Sequence, residues 1–159
     1  MGKAQQEAME ALFAFGNIVR PHLAAELGKV IHDEGLTERE IAVLEFIQTK
    51  GSPTFAEIAA DRDLERKRGV SSSRLSATLS ALFKKYRLVE KRPSMEDSRQ
   101  PVLTLTPQGK DLLRKLQGVR RAVYEKTCDA MEMTDKQAEL CTKLFTRGAE
   151  NFRKSLADR

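Results

Sequence analysis

The sequence predicts a mainly α fold that carries one small β-hairpin. Three observations support this. Apolar residues recur at helical spacing over most of the 159 residues. Four helix starts are signed by their capping chemistry. A single stretch, 88–106, alternates in period two around a polar tip.

Taken in order, residues 4–33 read as a first helix that Arg20-Pro21 kinks or divides and Gly35 ends. Thr37-Glu38-Arg39-Glu40 fits a capping box, in which the hydroxyl accepts an amide N–H and the carboxylate turns back to the cap's own N–H. It opens a second helix over 38–49, with Ile41, Leu44 and Ile47 inward. Gly51-Ser52-Pro53 is a loop. Thr54-Phe55-Ala56-Glu57 is a second capping box, opening a short third helix that buries Ile58 and Ala59. A fourth helix covers 72–86, capped by Ser71 or Ser72. Strands over 88–92 and 102–106 flank a tip over 93–101. Thr106-Pro107 offers a cap followed by proline at the first helical position, where its missing N–H costs nothing. The fifth helix, 107–131, carries the stripe Leu112, Leu116, Val119, Val123 and Ala130. Thr134 and Gln137 open a sixth over 135–157, with Cys141, Leu144, Phe145, Phe152 and Leu156 along it.

The first, fifth and sixth helices carry more apolar surface than one small domain buries. Phe13, Val123, Phe145, Phe152 and Leu156 are expected to meet a second copy, since exposed stripes of that kind mark interfaces. Residues 1–36 and 107–159 are therefore assigned to helical dimerisation. Residues 37–106 form the unit between them.

The net charge of +5 is unevenly spread. Residues 1–49 hold 4 basic and 8 acidic groups, whereas 62–92 hold 10 and 3, a local net of +7. Concentrated positive charge is the footprint of a phosphate-binding surface, although a lone charge run is more often a solvated face. No apolar run approaches the roughly 20 residues of a membrane span. No charged-then-apolar leader opens the chain, and Gln6 stands where myristoylation requires Ser or Thr. Two cysteines make no disulfide framework, so the expected compartment is the cytoplasm. No Ser-His-Asp set, phosphate-binding loop or zinc motif occurs, and neither an enzyme nor a cofactor is expected. His22 and His32 lie about 80° apart around the first helix and read as polar surface, not as metal ligands.

The fourth helix has two faces. Leu75, Leu79, Leu82, Phe83 and Tyr86 share one of them. The other carries Ser73, Ala77, Ser80 and Lys84, edged by Arg74, with Ser72 and Ser76 nearby. Small and hydroxyl side chains let a helix enter a major groove, and arginine is the common guanine reader. By itself this is an ordinary amphipathic helix. Placed between the short third helix and a hairpin bearing Lys91 and Arg92, it makes a winged helix-turn-helix with terminal dimerisation helices.

The residues now resemble the multiple-antibiotic-resistance regulator (MarR) family of bacterial and archaeal transcription factors. Asp97, Arg99, Leu105, Thr106 and Gly109 stand at the spacings of that family's D-x-R and L-T-x-x-G element. "GLTEREIAVLEFI", "GVSSSRLSATLSAL" and "VRPHLAAEL" look like its second helix, reading head and first helix. The resemblance implies a homodimer that binds double-stranded DNA, most often as a repressor at an inverted repeat. In it Arg99 is a wing cation for the minor groove or phosphate, and Asp97 orients it. A surface ion pair is the plainer account of those two. Leu105 anchors the strand, Thr106 starts the helix, and Gly109 admits another backbone. Three departures stand out. Residues 60–68 form an insert holding Arg66, Lys67 and Arg68 for phosphate, readable as helix or as loop. The first helix is about two turns longer than in the family. Tyr86-Arg87 replaces the usual glycine at the end of the fourth.

The resemblance also implies a small aromatic effector, for which Phe13, Arg20, His22 and Phe46 are the candidate lining. The sequence itself favours reading these phenylalanines as core and Arg20 as surface. Two other functional classes stay open: a winged-helix protein that binds RNA or shapes DNA without operator specificity, and a module whose basic face meets an acidic protein.

Overall fold

The computed structural model describes residues 2–61, 64–65, 69–94 and 100–157; for Ser72 and Ala157 it describes the backbone alone. Helix α1 spans Lys3–Asp33 without interruption, so the expected division at Arg20-Pro21 does not occur. Pro21 removes one amide donor, and the Asn17 carbonyl it would have bonded lies on an exposed stretch, open to solvent. Gly35 ends the helix at φ +67°. Its N–H donates to His32 O (2.9 Å), and that of Leu36 donates to Ile31 O (2.9 Å). These two bonds satisfy carbonyls that the helix end leaves free.

Both capping boxes form. Thr37 N–H donates to Glu40 (2.7 Å) at the head of α2, Glu38–Lys50. Thr54 N–H donates to Glu57 (2.7 Å) at the head of α3, Phe55–Ala60. The Glu40 side chain is buried and spends its charge on that cap. Helix α2 supplies much of the core through Ile41, Ala42, Val43, Leu44 and Ile47.

Helix α4, Ser72–Ser80, continues into one π-turn, Ala81–Lys85, closed by Tyr86 N–H on Ala81 O (3.1 Å). Strand β1, Val89–Arg92, pairs antiparallel with β2, Val102–Leu105, in the register Val89↔Leu105 to Arg92↔Val102. A third extended piece joins them. Thr54 bridges Val102, and Leu103 N–H donates to Pro53 O (2.8 Å), so the hairpin is fixed to the turn before α3.

Helix α5, Pro107–Ala130, drives Leu112, Leu113 and Leu116 into the same core as Leu44, Ile47, Leu75, Leu82 and Leu103. Glu34–Lys115 (2.7 Å) and Glu45–Arg120 link it to the end of α1 and to α2.

The chain divides into two units, Met1–Arg120 and Arg121–Arg159. The second holds the end of α5 and helix α6, Asp135–Ala157. Their turn places Glu132 at φ +48°, with its N–H on Asp129 O (3.0 Å) and Met133 N–H on Cys128 O (3.2 Å). Thr134 and Gln137 cap α6 reciprocally. Val123, expected to meet a second copy, is already buried in the single chain. Cys141 is half-buried and Cys128 exposed.

In the insert, Asp61 accepts the Leu64 N–H (2.8 Å), Leu64 and Glu65 are helical, and Leu64 is buried. Gly69, at φ +64°, returns its N–H to Glu65 O (3.1 Å). Leu64 thus joins the core, a signal that the charged residues around it in the sequence obscured.

Candidate nucleic-acid interface

The interface grows from α4. Leu75, Leu79 and Leu82 are buried, while Ser73, Arg74, Ser76, Ala77, Ser80 and Lys84 are exposed. The apolar side anchors the helix, and the polar side is offered to a partner. Ser72 occupies the first helical position. Ser71 stands at the cap position, but its hydroxyl does not cap the helix. It bonds the Ser73 hydroxyl instead (3.1 Å), while the Ser71 carbonyl accepts the N–H groups of Arg74 and Leu75 (both 2.9 Å). Serines two positions apart bond each other, and side-chain capping loses.

On β1, Lys91 and Arg92 are exposed. Lys91 Nζ sits 5.4 Å from the Phe83 ring centroid, which keeps the cation beside α4. Arg92 is paired with Glu90 on its own strand (2.6 Å), an exposed pair that phosphate can displace at little cost. A groove of about 310 Å³ runs between α4 and the wing, lined by Phe55, Ser76, Phe83, Lys84, Lys91 and Leu103 among others. Phe55 is the lining residue that sequence reasoning did not assign to a surface. Its place as the first residue of α3, ahead of the apolar stripe, was the available signal. Arg66, Lys67, Arg68, Asp97 and Arg99 lie outside the described residues.

The L-T-x-x-G residues act as a joint. Leu105 is buried. Thr106 N–H donates to Leu88 O (3.0 Å), its hydroxyl donates to Arg87 O (2.8 Å), and the same oxygen accepts the Gly109 N–H (3.2 Å). A side chain at Gly109 would collide with Leu88 O. Arg87, at the end of α4 where glycine is usual, adopts φ +54°, so the left-handed turn is kept without a glycine. The wing is thereby hinged on the end of α4 and the start of α5.

Among the ligand candidates, Phe46 packs against the core beneath Lys50, whose Nζ is 5.8 Å from its ring centroid. Phe13, Arg20 and His22 are exposed on α1. Helical periodicity puts Arg20 on the side of Phe13 and His22 on the opposite side.

No family model and no curated protein matches the sequence. Solved structures do. MarR from Staphylococcus aureus, in complex with salicylate and kanamycin, superposes with a TM-score of 0.67 at 21% identity, covering 96% of each chain. A MarR family transcription regulator superposes at 0.68 with 18% identity, over 98% of this chain and 96% of its own. The fold is MarR-like. A transcriptional regulator of Thermotoga maritima agrees at 0.61 with 20% identity, over 96% of this chain and 97% of its own. The MarR-like neighbours are transcriptional regulators, a non-enzymatic family. Among the described residues no helix is long and apolar enough to cross a membrane.

Proposed function

We propose that the chain is a homodimeric transcriptional regulator that binds double-stranded DNA and represses by occupying an inverted-repeat operator. The observation that supports this most is the exposed face of α4, with Ser73, Ala77 and Ser80 open to solvent and Arg74 and Lys84 beside them. Such a face fits a major groove closely and still reads base edges. Lys91 and Arg92 supply wing contacts to phosphate. The sequence adds Arg66, Lys67, Arg68, Asp97 and Arg99 to that set. Two heads related by a two-fold axis meet half-sites centred about 10–10.5 base pairs apart, or a multiple of that. The effector class to try first is a small aromatic acid near Phe13 and Arg20, since the S. aureus neighbour holds salicylate.

The test is a binding series on the DNA upstream of this gene against a scrambled duplex of equal length, with footprinting of the bound site. A two-fold footprint with selective, salt-sensitive binding is expected. Equal affinity for both duplexes would favour an architectural role, and no duplex binding would favour a protein partner for the basic face.

A further inference from the structure

The end of α4 is held by a hydroxyl that takes no part in the DNA-facing surface. Tyr86 follows the π-turn, its ring packs against the core, and its Oη donates to the carbonyl of Gly35, 51 residues earlier in the chain (2.5 Å). Lys85 Nζ donates to the same Oη (2.6 Å) and lies 4.5 Å from the ring centroid. That contact raises the lysine above its ordinary pKa. Gly35 is no neutral anchor. It forms the left-handed turn that ends α1, and its neighbour Glu34 is paired with Lys115 of α5 (2.7 Å). The carbonyl that receives Tyr86 therefore belongs to the turn where α1, α2 and α5 meet. At the other end of the contact, the π-turn and the left-handed Arg87 leave α4 without an ordinary helical terminus of its own.

We propose that Tyr86 is a positioning residue: its hydroxyl clamps the end of α4 to the α1–α2 turn and so sets the angle at which the exposed face of α4 is presented. This rests on the DNA-binding reading of α4 and adds its control point. A shift of the long first helix moves Gly35, and Tyr86 passes that shift to the reader. The wing cations Lys91 and Arg92 belong to β1 and not to the clamped end of α4, so the clamp acts on selectivity before it acts on general affinity for DNA.

The experiment compares the full-length chain with Tyr86→Phe, which keeps the packed ring and removes only the hydroxyl. Hydrogen exchange is followed at the amides of 81–88 and 35–37, and binding is measured on operator and scrambled duplex. Exchange is expected to quicken in both segments together. The operator-to-scrambled affinity ratio is expected to fall about three- to tenfold, the effect of one net hydrogen bond, with scrambled affinity and its salt slope unchanged. A merely structural tyrosine would lower the melting temperature without moving that ratio. Unchanged exchange in either segment overturns the clamp. Quickened exchange with an unchanged ratio overturns its role in reading. A wild-type chain that binds no duplex overturns the regulator reading itself, and the exchange data still decide whether the clamp exists.

Discussion

Gly109 shows how one missing side chain fixes the wing. A Cβ built there meets the Leu88 carbonyl oxygen, a backbone atom that already accepts the Thr106 N–H. Gly109→Ala must push α5 away from β1 or break that bond. Overpacking of this kind costs about 1–3 kcal/mol, read as a lower denaturation midpoint at unchanged slope. An unchanged midpoint would mean that the joint is looser than its geometry. Arg74 and Lys84 separate two kinds of contact. Arg74 stands in the first turn of the exposed α4 face, the proposed base-reading surface, so Arg74→Ala should cost about 1–3 kcal/mol on the operator and relax one position per half-site. Lys84 lies at the far end of that face. Lys84→Ala should weaken operator and scrambled DNA alike and lower the salt slope by about one unit for each phosphate left without its cation. Equal losses on both duplexes for Arg74→Ala would remove α4 as the reader.

Among elements, α3 is a helix of only 6 residues held at its head by its cap. The Glu57 carboxyl is held below its ordinary pKa, first by the Thr54 amide and then by the Thr54 hydroxyl. A carboxylate lowered in the folded state stabilises fully above its unfolded value of about 4.3. It loses that contribution as pH falls through the folded value. Glu57→Gln should therefore be less stable than wild type at neutral pH, and the gap between them should close on acidification. Melting curves from pH 7 to pH 3 check this, and a gap that stays constant would assign the difference to packing. This cap was legible in the sequence because it is local: four consecutive residues carry the whole device. The hairpin and the two-faced α4 were legible for the same reason, since their periods lie within one element. What was hidden depended on competition or distance. Ser71 and Ser73 bond each other, Leu64 is buried within a charged stretch, and Tyr86 finds Gly35 across 51 residues. Pro21 did not divide its helix, because on a solvent-facing stretch the carbonyl that proline strands is open to solvent.

For the molecule as a whole, the apolar surface left over sets the last expectation. Helix α1 has no buried residue over 31 positions, and Phe13 is 59% exposed on it. On α6, Phe145 and Phe152 are 53% and 66% exposed, with Leu140, Leu144 and Leu156 beside them in the sequence pattern. Two long helices with such faces are costly to leave in water, at about 25 cal/mol for each Å² of apolar surface. Under the proposed function a second copy covers them by two-fold symmetry, in which each patch meets its own counterpart. Sedimentation at micromolar concentration should give about 36 kDa, twice the 17.9 kDa of one chain. Phe145→Lys together with Phe152→Lys should shift the protein toward 17.9 kDa while the helix content of residues 1–120 stays intact. With two heads on the operator, as proposed, the same double variant should lose operator affinity far more than affinity for scrambled DNA. A wild-type chain that remains monomeric on concentration would show that something other than a second copy covers these helices, and the two-fold operator would fall with the dimer.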